Sequence, residues 1–200
     1  MAFLTHTTDR KDGMYEVIWH GRGGQGVVIA AQILAESAYF QGFKGVTSVP
    51  TFGPERRGAP LTASTRISNE PIRTFSQIEQ ADVAVVLDPS LLHTVNIQGT
   101  VKEGGWIIIN TPAENDLDMN GRHRIATLDA AGIAFRHHLI KEGAPIVNTP
   151  LLGAFSKASG LVSLEFIEKG LRHKLPGAVV EANVLALRIA FEETTVRGNP

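Results

Sequence analysis

The sequence has 200 residues, 43% of them hydrophobic, and 19 Lys+Arg against 20 Asp+Glu leave a formal net charge of −1. That length suits one domain with a sizeable core, and the near-neutral charge excludes the basic field that drives nucleic-acid binding. The absence of cysteine excludes disulfides, and any cysteine-ligated iron–sulfur cluster, from this chain.

Residues 1–13 are polar and charged and lack the apolar centre of a signal peptide, so they are expected to be a flexible extension. Residues 14–193 are expected to form a single domain, with 194–200 as a C-terminal tail. No apolar run approaches the ~18 residues of a membrane span. The expected setting is therefore cytoplasmic, without membrane contact.

The first predicted strand covers 15–20. It leads into His20, Gly21, Arg22, Gly23, Gly24, Gln25 and Gly26. Gly21, Gly23 and Gly26 fit G-x-G-x-x-G, placed between a strand and a predicted helix over 25–41. Glycine allows φ > 0 and a close approach to the main chain, and the first amides of a helix suit an anion. A dinucleotide-binding unit also wants an acid closing the second strand, to hold ribose hydroxyls. The second strand, predicted over 45–49 and followed by Pro50 and Thr51, supplies none. A tight packing turn, an anion contact or a partner contact is the expected role.

Next comes a loop fixed by prolines and glycines, containing Phe52, Gly53, Pro54, Glu55, Arg56, Arg57, Gly58 and Ala59. An arginine pair held on such a loop suits bidentate capture of phosphate or carboxylate, or an ion pair across a subunit interface. The alternation of Leu61, Ala63, Thr65 and Ile67 predicts a strand. A short strand is expected over 71–75. Residues 81–88 form a continuous apolar run closed by Asp88, as a parallel strand buried on both faces requires. Residues 104–110 repeat that pattern, and 124–128 form a sixth strand.

Asp129 is expected to cap a helix reaching about residue 141, with His137 and His138 on it. Adjacent helical residues point about 100° apart, so those histidines do not share a metal readily. His20 precedes the glycine loop and could be a partner-facing base, but is expected to be a hydrogen-bonded structural histidine. From 147 onwards the chain is predicted helical. Thr149-Pro150 open one helix, Gly160 breaks it, Ser163 caps another over 164–173, and Pro176 opens the last, to about 193. That last helix carries apolar stripes at Val180, Val184, Leu187, Phe191 and at Val179, Ala182, Ala186, Ile189, which implies burial or a facing subunit.

Strands alternating with helices predict an α/β fold: a doubly wound, mostly parallel open sheet with helices on both faces, Rossmann-like. No motif places a catalytic set, and no metal-ligand spacing occurs.

The two loop motifs, the strand ending Arg66-Ile67-Ser68 and the buried strand closed by Leu87-Asp88 together resemble the gamma subunit of the 2-oxoacid:ferredoxin oxidoreductases, the pyruvate synthase and 2-oxoglutarate synthase group. The resemblance covers roughly 14–192. It implies membership of a complex that oxidatively decarboxylates a 2-oxoacid to its acyl-CoA and passes electrons to ferredoxin or a similar acceptor. It implies thiamine diphosphate and Mg²⁺ between alpha and beta subunits, and iron–sulfur clusters in the beta subunit, a delta-type subunit or both. The gamma-type chain, inactive alone, would serve assembly and the region near CoA. Gly21 to Gly26 and Gly53, Pro54, Glu55, Arg56 and Arg57 are then the candidate contacts for CoA, an anion or a subunit. Family members often carry Arg-Gly-Gly where this chain has Arg57-Gly58-Ala59. The alternatives are a stand-alone nucleotide-binding dehydrogenase and a scaffold subunit without ligand.

Overall fold

The computed structural model describes residues 13–50, 57–74, 76–112 and 121–197. In chain order these form β1 (Met14–Arg22), α1 (Val27–Gln41), β2 (Gly45–Pro50), β3 (Pro60–Ser68) and β4 (Ala81–Val86). Two 3-10 turns, Pro89–His93 and Gln98–Thr100, precede β5 (Val101–Asn110) and β6 (Arg124–Leu128). There follow α2 (Ala130–Arg136), the hairpin strands β7 (Ile140–Lys141) and β8 (Ala144–Pro145), α3 (Asn148–Ser159), α4 (Leu164–Lys174), α5 (Gly177–Glu193) and β9 (Thr195–Arg197).

The main sheet has seven strands in the order β2-β3-β1-β4-β5-β6-β9. β1, β4, β5 and β6 are parallel neighbours. β3 runs against β1 and against β2, and β9 runs against β6. The sheet is therefore mostly parallel, with β3 and β9 reversed. The α/β class expected from the sequence is the one observed.

Alternate residues of the central strands feed two cores, as the pleat demands. Val17, Trp19, Val83, Val85 and Ile108 pack with residues of all five α-helices. Ala84, Val86, Ile107 and Ile109 face the other way, against Leu91 and Ile97 from the 3-10 turns and the segment between them. Helical segments thus lie on both faces, α-helices on one and short 3-10 turns on the other. Trp19 is fully buried; its Nε1 donates to Thr65 Oγ1 at 3.1 Å, and that hydroxyl donates to the Ala31 carbonyl at 3.1 Å.

At the amino edge of the sheet four charges meet. Arg66 Nε donates to Glu16 Oε1 at 3.0 Å, and Arg66 Nη2 to the Ser76 carbonyl at 2.7 Å. Lys102 Nζ lies 3.1 Å from Asp82 Oδ2 and 3.5 Å from Glu16 Oε2. The arginine and Asp82 are almost fully buried, so the pairing offsets a desolvation that neither could bear alone.

Several expectations need correction. The helix expected over 129–141 ends at Arg136. His137 caps it and His138 takes φ 54, so neither histidine lies on the helix. The chain turns there because Leu139 folds back into the core, its amide on the Ala134 carbonyl, and the hairpin follows. Pro71–Thr74 forms no strand, since Pro71 lacks an amide donor and Ser68 already ends the neighbouring ladder. Residues 195–197, assigned to the tail, are an edge strand on β6. α3 starts at Asn148, ahead of Thr149-Pro150.

Candidate functional site

The carboxyl ends of β1, β2 and β4 lie at one edge of the sheet, and the glycine loop leaves from the first of them. Gly23 forms a parallel bridge with Arg57. The Gly23 amide donates to the Ala59 carbonyl at 2.9 Å, and the Gly58 amide to the Gly23 carbonyl at 3.1 Å. The glycine loop and the returning end of the proline-fixed loop are therefore stitched together. Gly58 takes φ 81, whereas Ala59 is absent from the positive-φ positions, so the alanine that departs from Arg-Gly-Gly meets no backbone penalty.

Arg22 closes β1 and sits over this junction. Its Nε donates to Asp88 Oδ2 at 2.8 Å, Nη1 to the Gly58 carbonyl at 3.1 Å and Nη2 to Ser90 Oγ at 2.8 Å. Asp88 caps the following 3-10 turn, accepting from the Ser90 amide at 3.0 Å and the Ser90 hydroxyl at 2.6 Å. Partial burial pushes the Asp88 carboxyl upward, but the Ser90 bonds and then Arg22 outweigh it and hold its pKa below the usual carboxylate value. Asp88 thus combines the turn-capping role with an ion pair.

The glycine loop is occupied largely by its own chain. The Gln25 side-chain oxygen accepts from the Arg22 amide at 2.7 Å, and the Gln25 amide donates to the Arg22 carbonyl at 3.1 Å. Gly24 takes φ 96 and Gly26 φ 78. At Gly21 a Cβ would stand 2.6 Å from Val27 Cγ2, so a side chain there would force strand and helix apart. These glycines let the turn fold and pack, which is the plainer of the two readings open from sequence.

Arg57 carries an exposed guanidinium, its Nη1 3.0 Å from Glu142 Oε2 at the tip of the β7–β8 hairpin. Gly53, Pro54, Glu55 and Arg56 lie outside the described residues. His20 lies on the same face of β1 as Arg22, nearly fully buried, with Nε2 unpartnered among the described residues. Burial pushes its pKa down to about 4, so the ring is neutral at physiological pH.

Sequence reasoning missed Ser90, Glu142 and Asn148, which supports the start of α1 through its side chain on the Gly26 carbonyl at 3.3 Å. Asp88-Pro89-Ser90 does carry a capping pattern that points to Ser90. Glu142 pairs with a residue 85 positions away, and no local signal announces that. The described residues of this chain show no metal-ligand set. The chain lacks cysteine, and the described residues contain no cluster of three His, Cys, Asp or Glu.

Residues 16–193 match the family described as pyruvate ferredoxin/flavodoxin oxidoreductase. The chain belongs to that family. The pyruvate/ketoisovalerate oxidoreductases common subunit gamma of Thermococcus litoralis is 46% identical over 187 residues, 92% of this chain and 98% of the relative. Pyruvate synthase subunit PorC of Methanothermobacter marburgensis is 43% identical over 180 residues, 90% of this chain and 97% of the relative. Among solved structures, pyruvate oxidoreductase subunit PORC from Thermotoga maritima superposes with a TM-score of 0.77 at 36% identity, covering 92% of this chain and 98% of that one. The chain is thus a gamma-type subunit of the 2-oxoacid:ferredoxin oxidoreductases, as its loop motifs imply. No helix among the described residues is long and apolar enough to cross a membrane.

Proposed function

We propose that this chain serves the assembly of a thiamine-dependent 2-oxoacid oxidoreductase and borders the site where CoA takes up the acyl group. Alpha and beta subunits carry thiamine diphosphate and Mg²⁺, a delta-type subunit carries iron–sulfur clusters, and ferredoxin or a similar acceptor takes the electrons. This division agrees with a chain that has no cysteine of its own. The observation that carries the CoA reading is the junction of the two loops. The Gly23–Arg57 bridge joins the glycine loop to the last residue of the second motif, and Arg57 stands there with its side chain 72% exposed. Its partner Glu142 is also exposed, so the pair is weak and a phosphate can displace the carboxylate.

The chemistry asked of this chain is binding alone. A guanidinium offers a phosphate two parallel N–H donors, and the loop's fixed backbone reduces the ordering cost of capture. The assembly reading is supported by α5, where the apolar side chains of Val179 and Leu185 are 44% and 48% exposed.

The test is an Arg57→Ala variant in the assembled complex, assayed for acyl-CoA formation at varied CoA. The expected result is an apparent KM for CoA raised about tenfold, the worth of one charge-assisted hydrogen bond. Unchanged CoA dependence would sink the CoA role. Purification of the natural chain without larger iron- and thiamine-containing partners would sink the assembly role.

A further inference from the structure

We infer that Arg22 is a positioning residue: it clamps the returning end of the second loop to the carboxyl ends of β1 and β4 and so sets where Arg57 stands. The inference rests on the CoA reading only for its consequence, since the clamp itself is a matter of geometry.

Three nitrogens of one guanidinium reach three acceptors on two separate stretches of chain: Asp88 and Ser90 at the start of the 3-10 turn after β4, and the Gly58 carbonyl in the loop. A planar fork with donors on three nitrogens can do this at once; a lysine carries its three donors on a single nitrogen and does not span the same spread of acceptors. The anchor beneath it is stiff, because Asp88 is held through its other oxygen by the amide and hydroxyl of Ser90. The side chains of Arg22 and Asp88 are only 30% and 19% exposed, which distinguishes this pair from the open Arg57–Glu142 pair.

The loop needs such a hold. Its described backbone is joined to the glycine loop by one bridge with two backbone hydrogen bonds, and Gly58 lies in the left-handed region at φ 81. Arg57 is the residue just before Gly58, so a shift of the Gly58 carbonyl moves the Arg57 backbone with it. The exposed Glu142 contact is too weak to fix Arg57 instead. Arg22 is thus committed to its own chain and acts on a ligand through Arg57.

The test uses the assembled complex carrying Arg22→Ala, read in two ways. Hydrogen exchange at the Gly58 amide, which donates to the Gly23 carbonyl, is expected to speed about tenfold or more, as local opening becomes easier. The KM for CoA is expected to rise by more than kcat falls, and Arg22→Lys is expected to restore little of either. Unchanged Gly58 exchange would overturn the clamp. Faster exchange with an unchanged KM would support the clamp and overturn the CoA reading of the loop. Ser90→Ala, which removes one of the three acceptors, provides the same readings in smaller measure should Arg22→Ala fail to fold. Wild-type exchange in Ser90→Ala would likewise count against the clamp.

Discussion

The side-chain amide of Asn148, at the start of α3, donates to the carbonyl of Gly26, at the start of α1, over 3.3 Å. A Cβ on Gly26 would stand 2.5 Å from that same nitrogen, on a backbone already at φ 78. The third glycine of the fingerprint is therefore required twice over, by conformation and by a neighbour. Gly26→Ala is expected to cost about 1–3 kcal/mol, and thermal unfolding should show a Tm several degrees lower. An unshifted Tm would mean that α1 starts elsewhere.

The buried charges at the amino edge make a second case. Among the described residues, removing the Arg66 side chain leaves the Glu16 carboxylate with only Lys102, at 3.5 Å. Arg66→Ala should destabilise the domain by roughly 3 kcal/mol, mainly through the cost of a carboxylate left poorly compensated. Urea unfolding measures this directly. A change under about 0.5 kcal/mol, the range of ordinary surface substitutions, would contradict the buried network.

Thr65 relays a hydrogen bond from Trp19 to the Ala31 carbonyl. Thr65→Val keeps the shape but strands the indole N–H in the core. A loss of about 1–3 kcal/mol is expected, with the tryptophan still buried by fluorescence.

His20 predicts a pH dependence. Its pKa falls from the ordinary 6.5 to about 4 in the folded chain because burial disfavours the charged ring. Between those values the unfolded chain binds a proton that the folded one does not. Stability is therefore full above pH 6.5 and declines as pH falls towards 4, by an amount on the order of 3 kcal/mol. His20→Leu should flatten urea midpoints between pH 6.5 and 4.5 relative to the natural chain. Parallel curves for the two proteins would show that His20 can charge where it sits.

Much of the sheet could be read from residue patterns alone. Val83–Val86 and Ile107 to Ile109 are apolar without a break because helices or turns cover both faces, and they are recognisable for that reason. The alternation of Leu61 to Ile67 marked a strand but not its direction, since reversal against β1 depends on pairing partners and not on local sequence. α2 was overestimated because its apolar pattern runs on through Leu139, whose burial comes from a turn and not from another helical turn. The glycine loop was visible, and so was its lack of a ribose acid. Its electrostatics were not. Arg22 and Asp88 are 66 positions apart and Arg57 and Glu142 are 85, and only the folded sheet edge brings such pairs together.

The position of β9 bears on how the protein is made. β6 is synthesised before the last four α-helices, and the strand that covers its outer side arrives only after α2, α3, α4 and α5. At ordinary translation speeds that interval is on the order of ten seconds. For that time the nascent sheet exposes the unpaired backbone of β6, a template on which another emerging chain can pair. Bringing the helices of the second half over the sheet without delay is thus also a protection against misassembly on the ribosome.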